Sequence, residues 1–566
     1  MANNKRKKLS AEESENRLNQ MILRRTLFVL IVCGIVAFIP LTVKLFQVMI
    51  VNHDKYETMA VEQQTKERTV RAERGTIYDR NMNILATSIT EYNVFISPNE
   101  MEEYDVDAGL VAQGLAEILG VEEGDVLEKS KHTESMYQVI KKKVDQDTGD
   151  LVRAFITENE LRGIYLEATT TRYYPYSSLA AQVIGFTGTD GYGLYGVEAS
   201  LNETLEGTDG LIVTITDERG NEMLFKYSNY YDAVDGDSVV LTIDSTVQYY
   251  LEKHLSQAVA DYGVKNGAMG IIMEADTGEV LAMASLESFD LNNYQAIGDE
   301  KVAEKLAQLK EEGSEEYASL LGQAQLEQWA NKAITTTYEP GSTFKAITMS
   351  ILLEEDLAQQ SEHFFCTGNT GSMHIAGRED PISCWKKTGH GDQSLAETLA
   401  NSCNPAFANY GLRIGTETFF DYLESFGFRS TTGVDMPGES GSIFWADEIV
   451  DSYYFDASLA VAAFGQTFKI TPIQLATAYC ALANGGYLMK PYVVDKVLDA
   501  EGGVVEETSP TVIRQVISEE TSRTVCDMLE LVVKRVPAKT PRSAVTVSAA
   551  KPALPNRWTF TTKTAI

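Results

Sequence analysis

Ser342 and Lys345 stand three apart in the run YEPGSTFKAITMSILLEE, residues 338–355, directly after a Pro340–Gly341 turn. A serine hydroxyl attacks a carbonyl only when a base removes its proton. A lysine amine one turn away can do so when burial and neighbouring cations lower its pKa. A helix start helps, because its dipole favours a developing oxyanion and disfavours a second positive charge nearby. The pair therefore suits acyl transfer through a serine ester. The same spacing recurs at Ser383/Lys386 and Ser548/Lys551. Only Ser342 is followed by a strongly apolar helical run, and only it follows a turn that would lift the hydroxyl into a cleft. Downstream, Ser402-Cys403-Asn404 is expected at the end of a helical stretch. Ser402 could relay a proton between lysines and Asn404 could hold a substrate amide. A helix C-cap with Asn404 as the stop would give the same pattern.

The elements that would position these groups follow from periodicity. RTVRAERGTIYDRNMNILATS reads as strand, turn, strand, with the turn in Asp79–Asn83. Mixed α/β signal follows to about Val234. A strand, an Asp244/Ser245 cap and a long amphipathic helix open a new block. The segment 267–285 is a hairpin turning at Asp276-Thr277-Gly278, with Ile271, Met273, Val280, Ala282 and Ala284 facing inward. Lys301–Gln328 is charged and helical, as a surface insertion would be. No internal repeat is present.

A chain of 566 residues is too long for one core. Its formal net charge of -33 argues against a nucleic-acid binder, which needs a basic face. The basic residues crowd the N-terminus (Lys5, Arg6, Lys7, Lys8, Arg17, Arg24, Arg25), and an uncharged run from Thr26 to Val43 follows. That pattern predicts an uncleaved membrane anchor with its N-terminus in the cytoplasm and the bulk of the chain outside. The cysteines (33, 366, 384, 403, 480, 526) show no zinc-finger spacing, and the histidines form no HxxxH or HExxH. No metal site and no cofactor are expected. Cys366 and Cys384 could form a bridge outside the cell, which sequence cannot decide.

Ser342-x-x-Lys345 and Ser402-x-Asn404 are two of the three signature elements of penicillin-binding proteins and serine β-lactamases. With RGTIYDRN near the anchor, LANSCNPAF, GVDMPGE (433–439), and FGQ followed by ITPIQLATAYCALANGG (470–486), the chain resembles a class B penicillin-binding protein from the anchor to about Val533. The resemblance implies an α+β chain. A basic tail (1–25) and a transmembrane helix (26–50) would precede a mixed α/β pedestal or dimerisation domain (51–233). A transpeptidase domain (234–534), with helices around an antiparallel sheet, would follow. It also implies that Ser342 attacks the penultimate D-Ala carbonyl of a peptidoglycan stem peptide, with Lys345 as base and Ser402 passing the proton to the leaving amine. β-Lactams would acylate the same serine. A membrane glycosyltransferase and division or elongation proteins would be partners. One departure is Thr467, where the family usually has glycine. Two other readings compete with this one. One is a non-catalytic membrane scaffold; the other is a β-lactamase or β-lactam sensor, which the large membrane-proximal part and RGTIYDRN oppose.

The third signature element is a Lys-Thr-Gly strand that supplies a cation for the substrate carboxylate and an N–H for the oxyanion hole. Nothing in the chain is expected to supply it. Lys539-Thr540 precedes Pro541, which cannot donate a ladder hydrogen bond, and Lys563-Thr564 precedes Ala565. Back-translating from Val536 and moving the frame one base upstream lets degenerate codons read GTGKNAAVSGYSVGGKTGTAEQVD, with Lys-Thr-Gly falling over Lys551. The expectation is that residues 535–566 are an aberrant, frameshifted tail. The sheet would lack its last strands, and the chain would acylate poorly.

Overall fold

The computed structural model describes residues 11–53, 55, 65–215, 229–265, 267–368, 374–375, 381–446, 455–535, 544–550 and 559–565. Lys5–Lys8, Lys539–Pro541 and Lys551 lie outside them. The chain divides into two compact units, residues 1–71 with 209–233, and residues 72–208 with 234–566. In the first, the helix Ala11–Phe46 runs into a π-helical turn, Gln47–Val51, and Leu18–Val51 is long and apolar enough to cross a membrane. The helix begins ahead of the apolar run because the preceding residues carry no Pro or Gly to stop it. The same unit holds an antiparallel sheet in the order Thr65–Val70, Gly210–Ile215, Asn229–Tyr231.

In the second unit a seven-stranded sheet runs Val504–Glu507, Val494–Leu498, Ser238–Leu241, Ile77–Tyr78, Ile84–Ile96, Gln138–Val144. Ile164–Tyr173 also pairs with Ile84–Ile96. Only the Ile77–Tyr78/Ser238–Leu241 pairing is parallel. The RGTIYDRN segment sits at its centre. Gly75 is required there, since a Cβ would meet Asp237 O at 1.9 Å. Asp79, fully buried, accepts from the backbone N–H of Asn81 and Asn83 at 2.8 Å and from Ser245 Oγ at 2.7 Å. That ties the turn to the helix Ser245–Tyr262, which Asp244 caps as expected. Arg74 and Arg172 clamp the buried Glu198 from two sides, each Nε at 2.7 Å.

The hairpin Ala268–Met273/Val280–Leu286 is a two-stranded sheet. Val280 and Ala282 to Leu286 are buried, whereas Ala268–Met273 is half-buried throughout. The outer edge of Ala268–Met273 has no partner among the described residues, so Ile271 and Met273 do not reach the depth the alternation predicts. Ala544–Ala550 and Thr559–Ala565 pair only with each other. The charged insertion forms two helices, Glu300–Glu311 and Glu316–Trp329. The helix Lys345–Glu354 is buried on every face from Lys345 to Leu352, inside a core built by Phe407, Phe419, Phe428, Leu459, Phe468 and their neighbours.

Candidate active site

Pro340 and Gly341 form the turn the sequence predicts, with Gly341 at φ +59°. Ser342 does not open an α-helix. It lies in a 3-10 segment, Gly341–Phe344, that feeds directly into the α-helix Lys345–Glu354. Side chains three apart eclipse one another in 3-10 geometry, which aligns Ser342 with Lys345 more closely than an α-turn would. The turn is braced by the 465–467 loop. Gly341 N donates to Gly465 O at 2.8 Å, and a Cβ on Gly465 would stand 2.0 Å from Gly341 O. Thr467 adopts φ +72°, a left-handed conformation that a β-branched residue rarely takes, and its N–H donates to Glu339 Oε1 at 3.0 Å. Glycine is the unstrained choice at that position.

Lys345 is 1% exposed and its amine is the hub of the site. Nζ lies 3.1 Å from Ser342 Oγ, 2.7 Å from Ser402 Oγ, 3.0 Å from Ser402 O and 2.7 Å from Asn404 Oδ1. The two hydroxyl oxygens are 3.0 Å apart. The carbonyl and the amide oxygen can only accept. A neutral amine gives its two hydrogens to them and is left with one lone pair directed at the hydroxyls. Burial drives the lysine down to about 7, against a smaller opposing pull from Cys403 and Cys384. Phe407 and Phe464 flank Nζ at 5.5 and 5.9 Å from their ring centres and help keep water away. This arrangement can deprotonate Ser342 and pass the proton onward through Ser402.

Ser402-Cys403-Asn404 follows the end of one helix, as expected, but Asn404 is not its stop. It bridges Leu395–Ala400 and Asn404–Ile414, and Asn404 begins the second helix, with Pro405 in its first turn. Proline fits there because its missing N–H has no intrahelical acceptor in any case. Ser402 is held at φ +49°, strain of the kind concentrated at functional positions. The fold thus brings together all four sequence candidates, Ser342, Lys345, Ser402 and Asn404.

The other matches to Ser-x-x-Lys fall away. Lys386 is exposed in a loop, and Lys551 is outside the described residues. A tripeptide Lys387-Thr388-Gly389 does occur, upstream of Ser402, but it forms a turn with Gly389 at φ +76° and offers no strand. Among the described residues, no strand with this signature faces Ser342.

Spacing in sequence missed one cluster. Cys366, Cys384, His390 and Cys403 converge so that one ligand atom from each lies within 4.8 Å of the others. The expectation of no metal-ligating group rested on local motifs. These residues come from a strand, a loop and a helix cap between positions 366 and 403, at spacings that match no local zinc motif. Burial pushes Cys403 up to about 12, partly offset by hydrogen bonds to its sulfur.

An accessible serine, a buried lysine amine and a second serine linked in one relay on a helical core are the equipment of a serine acyltransferase. Comparison with known proteins is specific. The model for the penicillin binding protein transpeptidase domain matches residues 268–551, and that for the penicillin-binding protein dimerisation domain matches residues 69–241. Stage V sporulation protein D of Bacillus subtilis is 32% identical over 520 residues, covering 91% of this chain and 74% of the relative. A peptidoglycan D,D-transpeptidase FtsI homolog of Chlorokybus atmophyticus is 28% identical over 450 residues, covering 78% and 60%. Penicillin binding protein 2X of Streptococcus thermophilus shares the fold, with a TM-score of 0.64 at 23% identity, over 82% of this chain and 66% of that one. The chain belongs to the class B penicillin-binding proteins. The transpeptidase match extends past Arg535, so family likeness continues into the segment that the sequence reading treats as aberrant.

Proposed function

We propose that this protein is a peptidoglycan D,D-transpeptidase that acylates on Ser342. Lys345 takes the hydroxyl proton as the oxygen attacks the carbonyl of the penultimate D-Ala. The tetrahedral intermediate collapses, the C–N bond to the terminal D-Ala breaks, and Ser402 delivers a proton to the leaving amine. An amine from a neighbouring strand then takes the acyl group and regenerates Ser342. Asn404 orients Lys345 and is available to the substrate amide. β-Lactams enter by the same first step, their ring opening in place of D-Ala release. The observation that carries the reading is the placement of Nζ within hydrogen-bond reach of both hydroxyls while two pure acceptors occupy its N–H groups. The N-terminal helix would anchor the protein with the catalytic part outside the cytoplasm, as the basic flank supports. The open edge of Ala268–Met273, and the lack of a Lys-Thr-Gly strand opposite Ser342 among the described residues, support slow acylation.

The test is covalent labelling of the full chain in detergent with a fluorescent penicillin, followed by intact mass. Expected is a faint band that Ser342→Ala removes. A band of full intensity overturns the slow-enzyme reading, and label that survives Ser342→Ala overturns the assignment of the nucleophile.

A further inference from the structure

We propose that Cys366, Cys384, His390 and Cys403 bind a zinc ion that fastens the Ser402–Asn404 turn to the loops beneath it. All four side chains lie in or beside the core, the three cysteines buried and the histidine half-buried. Tetrahedral zinc, with thiolate sulfur at 2.3 Å and imidazole nitrogen near 2.0 Å, sets its ligand atoms about 3.4–3.8 Å from one another. Cys384 Sγ and His390 Nδ1 are 3.4 Å apart, and the whole set fits within 4.8 Å. Small closing movements bring four ligands onto one ion. Three sulfurs and one imidazole nitrogen favour zinc over harder cations. Four protein ligands leave no open position for water, so the ion is structural.

The backbone around the cluster is built for it. The strand His363–Cys366 pairs with Gly391–Ser394, placing Cys366 across from Gly391 and next to His390. Gly368 and Gly389, at φ +69° and +76°, press backbone against backbone. A Cβ on Gly389 would stand 2.3 Å from Cys366 O, and one on Gly368 would stand 2.2 Å from Lys387 O. The N–H groups of His390 and Gly368 donate to Cys366 Sγ, and that of Lys386 donates to Cys384 Sγ. Such donors orient and stabilise metal-bound thiolates. His390 Nε2 is buried without a hydrogen-bond partner, and the Trp385 ring meets the imidazole edge-on at 5.4 Å. The ring's side-chain hydrogen bond among the described residues is the Nδ1 contact with Cys384 Sγ; a metal bond through Nδ1 takes its place and fixes the ring, while Nε2 stays unpartnered.

On binding, the three thiols release their protons to solvent, and the site carries one net negative charge. Cys403 is the residue between Ser402 and Asn404 and the N-cap of the helix that follows. A metal bond there holds the strained Ser402 in position. A Cys366–Cys384 disulfide excludes the ion, because it brings two sulfurs to about 2.05 Å and removes them as ligands.

The experiment is metal analysis of the untagged full chain in detergent, kept reduced, together with cobalt substitution. Expected is about one zinc per chain, and a cobalt form with thiolate charge-transfer and tetrahedral ligand-field bands. Cys403→Ser and His390→Ala should each weaken binding about 100-fold or more. Cys480→Ser, a buried cysteine outside the cluster, should leave it unchanged. Because a ligand variant can misfold, the cobalt spectrum of the unaltered chain stands as an independent readout. A reduced chain that takes up neither metal, an octahedral spectrum, or mapping that finds Cys366 and Cys384 disulfide-bonded in the isolated protein would each overturn the proposal. None of these readouts depends on acylation of Ser342.

Discussion

The buried amine of Lys345 predicts how acylation varies with pH. Its pKa falls from 10.5 to about 7 through burial. At pH 7 this raises the neutral, basic fraction from about one in 3,000 to about one half. If Lys345 is the base, the acylation rate constant rises about tenfold between pH 6 and pH 8 and is flat above that. The assay is the time course of fluorescent-penicillin labelling of the full chain at sub-saturating drug, read at closely spaced pH values. Lys345→Met, which removes both the base and the buried charge, should lose the labelling. The same shift acts on folding. Between about 7 and 10.5 the unfolded chain binds the proton that the folded chain has shed, so stability climbs with pH across that window and is lowest below it. The full span is on the order of 5 kcal/mol. A rate that keeps climbing tenfold per pH unit through pH 9, or one indifferent to pH, would refute the assignment of Lys345 as base.

Other consequences are open to direct measurement. Thr467→Gly relieves a left-handed β-branched residue and should stabilise the chain by about 1 kcal/mol, visible as a higher melting temperature; an unchanged or lower value contradicts the strain. Glu198→Gln leaves Arg74 and Arg172 buried without a counter-charge and should cost about 3–5 kcal/mol in denaturant unfolding. Replacing residues 536 onward with the shifted-frame segment GTGKNAAVSGYSVGGKTGTAEQVD should raise labelling at Ser342 well above that of the present chain. Equal labelling would count against the slipped-frame reading.

The chemistry was legible where it was local. Ser342, Lys345, Ser402 and Asn404 are each named by short motifs, and the fold gathers them around one amine. The 3-10 form of the first turn was not legible, because a helix and a 3-10 segment share the same three-residue coincidence. The alternative of Asn404 as a helix stop fails, since Asn404 begins a helix; the following proline, which favours the first turn of a helix, is the signal that separates the two. The Cys/His cluster was invisible to spacing rules, since a strand pairing and two close-packed glycines assemble it. The pairing of Arg74 with Glu198 spans 124 positions, and nothing local announces it.

The long sheet also bears on how the molecule moves. Strands from the segment matched by the dimerisation model, Ile77–Tyr78 and Ile84–Ile96, share one hydrogen-bonded ladder with Val494–Leu498 from the transpeptidase segment. Segments joined by a loose linker swivel freely. Here a swivel would first have to unzip a ladder at Ser238–Leu241. The two matched segments are therefore expected to move as one plate rather than to hinge.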